Sequence, residues 1–530
     1  MGALVMLNAI IFCLAISVSN TGTQVTPSTG DTLYDASDRG DLAEVKRLAG
    51  HTCDGVNWLK SYINQTNWTP LHIAAFRNHT QIVLFLLSCS AEPNVQTTPI
   101  GHTSLMLASR YASVDVVNAI LTAYPDLDIR DENGLTALMY ASRYKNPYAT
   151  KALIKAGAQL DLKEKDGWTA LMIASRHNSP DAAKALIMEG AQINLRNNDE
   201  WTALMMTSRY NNTEAAKALI TAGAELDFQD NEGWTALMMA SRYNNTEAEK
   251  ALITAGAELD FQDNEGWTVL MKASIQDNLD IVKALITASA DADLQDENGW
   301  TALMMASTSA SLNVTNILLD YGADMNVQDN TNSTALHRAA LNNNLDVVKA
   351  LITAGAKLDL KNNIGKTSLM MASEFNNTDV VNALIAANSQ LDLKNNNGWT
   401  ALMVASRYSN PEITKALIME GAQINLKNND EWTALMMASR YNNTESTKAL
   451  ITAGAELDFQ DNEGWTALMK ASRYNNTEST KALITAGAQL DIKNNGGWTA
   501  LMMALRYNNT EATKALMLAT LHPNPDTVMA

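Results

Sequence analysis

Apolar and polar positions follow one fixed order along most of the chain. Residues 233–265 show it plainly: GWTALMMASRYNNTEAEKALITAGAELDFQDNE. A short apolar run, Ala236 to Ala240, follows Thr235, whose hydroxyl suits an N-cap and satisfies one orphan amide of a short helix. The pattern predicts that this helix stops at Asn244-Asn245, because Asn tolerates a left-handed turn. Thr246-Glu247 opens a second helix with a carboxylate at its positive end. Ala248, Ala251, Leu252 and Ile253 form its apolar stripe, and Gly256 suits a left-handed C-cap. The polar stretch Gln262 to Gly266 then reads as a turn leading to the next Trp. One unit is therefore a helix, a turn, a second helix and an extended polar finger.

The unit recurs. From Thr103 to Thr499 the capping Thr returns at every 33rd position, and Thr69 stands 34 residues before the first of these. That gives 14 units, with a degenerate fifteenth opening at Thr32-Leu33-Tyr34-Asp35-Ala36. Self-similarity at such a period means a solenoid. Thr69-Pro70-Leu71-His72-Ile73-Ala74 carries the T-P-L-H-x-A signature, and Leu336-His337-Arg338-Ala339-Ala340 nearly does. The unit thus resembles an ankyrin repeat. Elsewhere Ala replaces Pro and Met replaces His, as in Thr202-Ala203-Leu204-Met205, and Asn-Asn stands where the family has Gly-His between helices. The resemblance implies a mainly α fold, an ankyrin-repeat solenoid of helix-turn-helix units with extended finger loops. The expected division is a signal peptide at 1–19, a linker at 20–31, a degenerate capping repeat at 32–66, fourteen repeats at 67–520 and a tail at 521–530. A longer period lies above the short one: Trp168 and Trp399 stand seven units apart, as do Trp201 and Trp432, so a block of about seven units was duplicated whole.

Stacked helix pairs close a continuous core between neighbours and leave faces rather than an enclosed pocket, which suits macromolecular partners. At about 8–10 Å per packed helix layer, fifteen units would extend on the order of 150 Å in contour. The resemblance places the residue between Gly and Thr near the finger base, and the two residues after helix 1 along a concave groove. Trp fills the first place at Trp201, Trp234, Trp432 and Trp465, among others. Arg-Tyr fills the second at Arg110-Tyr111, Arg143-Tyr144, Arg209-Tyr210 and Arg242-Tyr243, with Arg176-His177 among them. The pair returns at Arg407-Tyr408, Arg440-Tyr441, Arg473-Tyr474 and Arg506-Tyr507. These residue types dominate binding hot spots. The competing reading is structural, with each Trp packed on the next finger and each Arg paired to a neighbouring carboxylate. Ile275-Gln276, Thr308-Ser309, Leu341-Asn342 and Glu374-Phe375 interrupt the column, so two similar patches flank a different centre.

Composition narrows the partner. The 530 residues carry a formal charge of −18, which argues against nucleic acid and anionic lipid and favours a protein partner of neutral or basic surface. No nucleophile elbow, phosphate loop or metal-spaced His pair is present, so no enzyme activity, cofactor, metal or small-molecule substrate is expected. The Met stripe at Met205, Met206, Met238 and Met239 reads as adaptable core, and His72 and His337 hold a structural place.

The apolar run from Ala3 to Val18, with Ser17 and Ser19 ahead of Asn20, resembles a secretory signal peptide, although no Lys or Arg precedes it. Left uncleaved, it would act as a membrane anchor, and membrane association is expected only in that case; about 16 residues is short for a span. If the chain is secreted, Cys53 and Cys89 can bridge neighbouring units. Asn64, Asn78, Asn211, Asn244, Asn376, Asn442, Asn475 and Asn508, with Asn67, Asn313 and Asn332, then become glycan acceptors. Six of these share the helix–helix turn, where turn and cap chemistry already explains Asn-Asn-Thr. The sequence thus points to a non-enzymatic protein-binding scaffold in the secretory pathway or outside the cell. It leaves open an intracellular, cytoplasmic adaptor and a regulatory subunit of an enzyme or channel complex.

Overall fold

The computed structural model describes residues 29–62 and 65–521. The expected signal segment, most of the linker and the tail from His522 lie outside them, as does the acceptor Asn64. The first helix among the described residues, Thr29–Arg39, begins three residues before the boundary expected at 32. The chain divides into two compact units, one ending at Ala224 and the other starting at Glu225.

In the first unit, the helices Thr29–Arg39 and Leu42–Ala49 are followed by an antiparallel strand pair, Lys60–Tyr62 and Gln65–Trp68. Helix pairs then alternate with fingers, from Pro70–Phe76 and Thr80–Ser88 to Ala203–Arg209 and Thr213–Thr221. A disulfide joins Cys53 to Cys89 with the Cα atoms 5.4 Å apart, tying the loop after the first helix pair to the end of Thr80–Ser88. The second unit continues the pattern from Ala236–Arg242 and Thr246–Thr254 to Ala500–Arg506 and Thr510–Leu521.

One repeat of the second unit shows why these residues adopt this geometry. Thr466 has extended backbone, and its hydroxyl accepts from the Met469 amide at 3.3 Å, so the helix Ala467–Arg473 starts there. Leu468 and Met469 are 1% exposed; fully burying such a side chain contributes about 1.5–3 kcal/mol. The helix ends where Asn475 takes a positive φ of 61°. Asn476 then turns inward, and its Nδ2 donates to the carbonyls of Ser439 (2.6 Å) and Arg440 (2.9 Å) in the preceding repeat. This second Asn of the pair is therefore a latch between repeats, not only a turn residue.

The finger is set by Asp461, whose Oδ1 accepts from the amides of Glu463 (3.0 Å) and Trp465 (2.8 Å). Fingers join through backbone bonds such as the Asn495 amide to the Glu463 carbonyl at 3.0 Å. At Gly464, φ is +80° and a Cβ would meet the Asn495 amide nitrogen at 2.8 Å, so glycine is required on both counts.

The second-helix stripe expected at Ala248, Ala251, Leu252 and Ile253 needs correction. Ala248 and Leu252 are buried, whereas Ala251 and Ile253 are only half-buried. Glu249, a carboxylate, takes a place in the buried face.

Candidate protein-binding surface

At Arg407-Tyr408, Arg440-Tyr441 and Arg473-Tyr474 the Arg is the last residue of helix 1 and the Tyr its C-cap, not the two residues after the helix as expected. Where a Trp stands at the finger base, its contact with the Arg is cation–π. In the second unit the arrangement repeats with little variation. The Arg407 guanidinium lies 4.9 Å from the Trp399 ring centroid, 5.3 Å from Tyr408 and 5.0 Å from Tyr441 of the following repeat. Arg440 has the same three neighbours at 5.0 Å (Trp432), 5.4 Å (Tyr441) and 4.9 Å (Tyr474). Arg473 has them at 5.1 Å (Trp465), 5.3 Å (Tyr474) and 5.0 Å (Tyr507). Arg506 closes the run over Trp498 at 5.1 Å. Arg242, at the other end of this unit, lies 6.0 Å from Trp234 beside the exposed Tyr243.

The first unit carries a less regular version. Arg110 lies 4.4 Å from both Tyr111 and Tyr144, and Arg143 lies 5.8 Å from Tyr144. Arg176 stacks on Trp168 (4.8 Å) and Tyr210 (5.4 Å), and Arg209 on Trp201 (4.9 Å) and Tyr210 (5.7 Å). His177 stands where Tyr would. Burial, then the charges of Arg143, Arg176 and Lys145, lower its pKa to about 4, so it is neutral near pH 7.

The columns are therefore layered. Trp201, Trp234 and Trp432 are half-buried and Trp465 is buried, with arginine lying across them. Arg407, Arg440 and Arg473 are half-buried, whereas Tyr111, Tyr408 and Tyr474 are exposed, each by more than 40%. The alternative that each Arg pairs with a carboxylate is not what Arg407, Arg440 and Arg473 do: none of them forms an ion pair among the described residues. At Arg407 and Arg473 the tyrosine is thus the more exposed layer and tryptophan the platform beneath, whereas Tyr441 is half-buried like Arg440 and Tyr144 is less exposed than Arg143.

A second set of cations lies deeper. Lys272 sits in the helix Val269–Ile275, its ammonium 2.5 Å from Asp263 Oδ2, 4.0 Å from the Trp234 ring and 5.4 Å from Trp267. Lys470 repeats this with Asp461 (2.6 Å), Trp432 (3.5 Å) and Trp465 (5.5 Å). Burial holds its pKa below the ordinary lysine value, with Asp461 acting against that shift. Arg338 pairs with Asp329 and lies 4.0 Å from Trp300. In the first unit, Tyr140 donates to Asp131 Oδ2 at 2.7 Å. Each polar group stands nine residues after its Asp, a spacing visible in the sequence.

Of the acceptor candidates, Asn211, Asn244, Asn376, Asn442, Asn475 and Asn508 are exposed at the helix–helix turn, all with positive φ. Asn78 is also exposed there, and its Oδ1 accepts from the Ser113 amide at 2.8 Å. Met205, Met206, Met238 and Met239 are buried, as expected for core. His72 is buried, its Nδ1 2.8 Å from the Thr69 hydroxyl, the structural place expected for it. Among the described residues no helix is long and apolar enough to cross a membrane.

With the helix pairs, fingers and capping threonines in place, comparison with known families settles the class. The family model for ankyrin repeats (three copies) matches residues 9–97, 33–131, 105–197, 187–263, 243–329, 321–395, 369–461 and 435–527. These overlapping matches span nearly the whole chain, which belongs to the ankyrin repeat family. It is a protein–protein interaction module, in a family whose members are generally non-enzymatic interaction scaffolds.

Proposed function

We propose that the chain is a non-enzymatic scaffold that captures a protein partner along its Arg-Tyr row, in the secretory pathway or outside the cell. The observation that carries the binding reading is the layering of that row. At Arg407 and Arg473 an exposed tyrosine stands beside a guanidinium stacked on tryptophan, so large side chains of hot-spot type are presented with little rotamer freedom left to lose. Two features support the location. The N-terminal apolar run has the form of a signal peptide. Cys53 and Cys89 are paired, and disulfides persist in oxidising compartments. The exposed acceptor asparagines then suit glycosylation. The overall charge of −18 steers basic surfaces toward the molecule and does not oppose neutral ones.

The test is affinity capture with the full chain against a variant carrying Arg209→Ala, Tyr210→Ala, Arg242→Ala and Tyr243→Ala. The variant should melt within a few degrees of the parent and lose its specific partner. Undiminished capture of the same partner would make the row structural. For the location, sequencing of the mature N-terminus should begin at Asn20, with sugar on Asn244. An intact Met1 and bare asparagines would sink it.

A further inference from the structure

The run from Arg407 to Arg506 has a charge arrangement that points to a particular partner chemistry. Around it, the lysines of the second helices are neutralised. Lys415, Lys448, Lys481 and Lys514 each pair with the Glu three residues before, at 2.8–3.2 Å. Lys427 pairs with Glu431 and Lys470 with Asp461. Glu374, at the start of the run, is held by Lys366. Arg407, Arg440 and Arg473 have no such partner. Their planes are covered by rings, and among the described residues no hydrogen bond or ion pair engages their N–H groups. A guanidinium stacked on aromatics keeps its edge donors, which fit a carboxylate two at a time. The net charge of the chain is negative, yet these three arginines are cations with no carboxylate paired to them among the described residues, and Glu374 beside Tyr408 is paired with Lys366.

The spacing adds a second constraint. Successive arginines stand one repeat apart, and packed helix layers are separated by about 8–10 Å. A polyproline II chain rises about 3.1 Å per residue with three residues per turn, so every third side chain returns to the same face after about 9.3 Å. Between the arginines stand the half-buried ring of Tyr441 and the exposed ring of Tyr474, with the exposed Tyr408 and Tyr507 at the two ends of the run. Aromatic ridges of this kind are the surfaces that receive polyproline II segments. We infer that Arg407, Arg440 and Arg473, with the tyrosines between them, form a binding site for an acidic polypeptide segment in polyproline II conformation, with a carboxylate at every third residue. This rests on the protein-binding reading above and names the partner's chemistry at that row. It also reverses, for this stretch, the preference for a neutral or basic surface that the overall charge suggests.

The experiment titrates the full-length chain into a fluorescent peptide of six Glu-Pro-Pro triplets and reads anisotropy at about 0.15 M salt. A peptide of the same composition with its glutamates clustered at one end should bind at least fivefold more weakly. Arg440→Gln with Arg473→Gln should weaken the spaced peptide at least tenfold while leaving the thermal melt within a few degrees. Lys481→Gln, on a lysine already paired, should leave affinity unchanged. Equal binding of spaced and clustered peptides would overturn the register argument. So would tighter binding of an α-helical peptide with glutamate at every seventh residue, or of a sulfated polysaccharide. No binding of any acidic peptide, in a protein whose Arg-Tyr row still captures a partner, would overturn this inference alone. Loss of neither partner nor peptide on changing the row would overturn the protein-binding reading itself.

Discussion

Two stretches of the second unit, 266–375 and 399–507, use the same repeat and place their cations differently. In the later stretch, arginine stands at the end of helix 1 in four successive repeats and lies on the Trp of its own finger. In the earlier one those positions hold Ile275, Thr308, Leu341 and Glu374. There the cation has moved three residues toward the helix start, to Lys272 and Arg338, beneath the Trp of the preceding repeat and against a buried Asp. Both stretches cover tryptophan with a cation. Only the inner cation is neutralised by the protein itself, so inner cations serve the core and rim cations are left for something else. The later stretch has both at Trp432, between Arg440 at 5.0 Å and Lys470 at 3.5 Å.

The largest effect should come from orphaning an inner cation. Asp263→Ala leaves the Lys272 ammonium buried against tryptophan alone, and breaking such a pair costs about 3–5 kcal/mol. Lys272→Met restores the residue found at the same place in Met239 and Met305 and should cost less than about 1.5 kcal/mol. Asp296→Ala, whose repeat carries Met305, loses only finger hydrogen bonds, at about 1–3 kcal/mol. Urea unfolding followed by local amide exchange reads all three. Equal losses at Asp263 and Asp296 would show that the inner cation contributes nothing distinct.

Glu249 supplies the contrasting case, a buried carboxyl that forms no ion pair among the described residues. Burial pushes its carboxyl up to about 8 from 4.5, with Ser241 the neighbour acting against that shift. The folded state therefore holds a proton that the unfolded chain releases, so stability falls as pH rises from 4.5 to 8 and levels off above that. Corresponding places in other repeats hold threonine, at Thr315, Thr447 and Thr480, all buried. Glu249→Thr should accordingly stabilise by up to about 4 kcal/mol at pH 8, with the gain vanishing near pH 4.5. A gain independent of pH would mean that packing, not charge, sets the difference.

The fold was legible because a 33-residue period with a capping Thr, a left-handed Asn and a required Gly repeats the same local instruction many times. The Trp, Arg and Tyr columns were legible as columns. Their contacts were not, because Arg440 meets Tyr474 34 residues away, and that depends on how neighbouring helices pack. The inner pairs were within reach. Tyr140, Lys272, Arg338 and Lys470 each follow an Asp by nine residues, whereas Met206, Met371, Val404, Met437 and Met503 follow an Asn in the same register; Met239 and Met305 follow Asp230 and Asp296, so the Asp permits the polar partner without requiring it. An Asp with Oδ1 committed to the finger still has Oδ2 to offer, and an Asn presents an amide NH2 there instead. The latch made by Asn476 was hidden for another reason: the same residue type satisfies a turn and an inter-repeat bond, and composition alone does not separate them.

The smallest expected change in stability tests the division between inner and rim cations most directly. Thr308→Arg with Ser309→Tyr writes the rim pair into the centre, over Trp300, where Arg338 already lies from the other side. Trp432 tolerates that double covering, so the graft should fold with a stability change within about 1 kcal/mol, the worth of an exposed cation–π contact. The new guanidinium would have no assigned carboxylate, unlike Arg338, whose charge Asp329 meets. If rim arginines are the available ones, the grafted chain gains affinity for the spaced acidic peptide, about two- to fivefold, from its added site. If the gain instead matches that of a control with Thr308→Lys alone, ordinary surface charge accounts for it, and stacking on tryptophan has no part in holding the guanidinium ready.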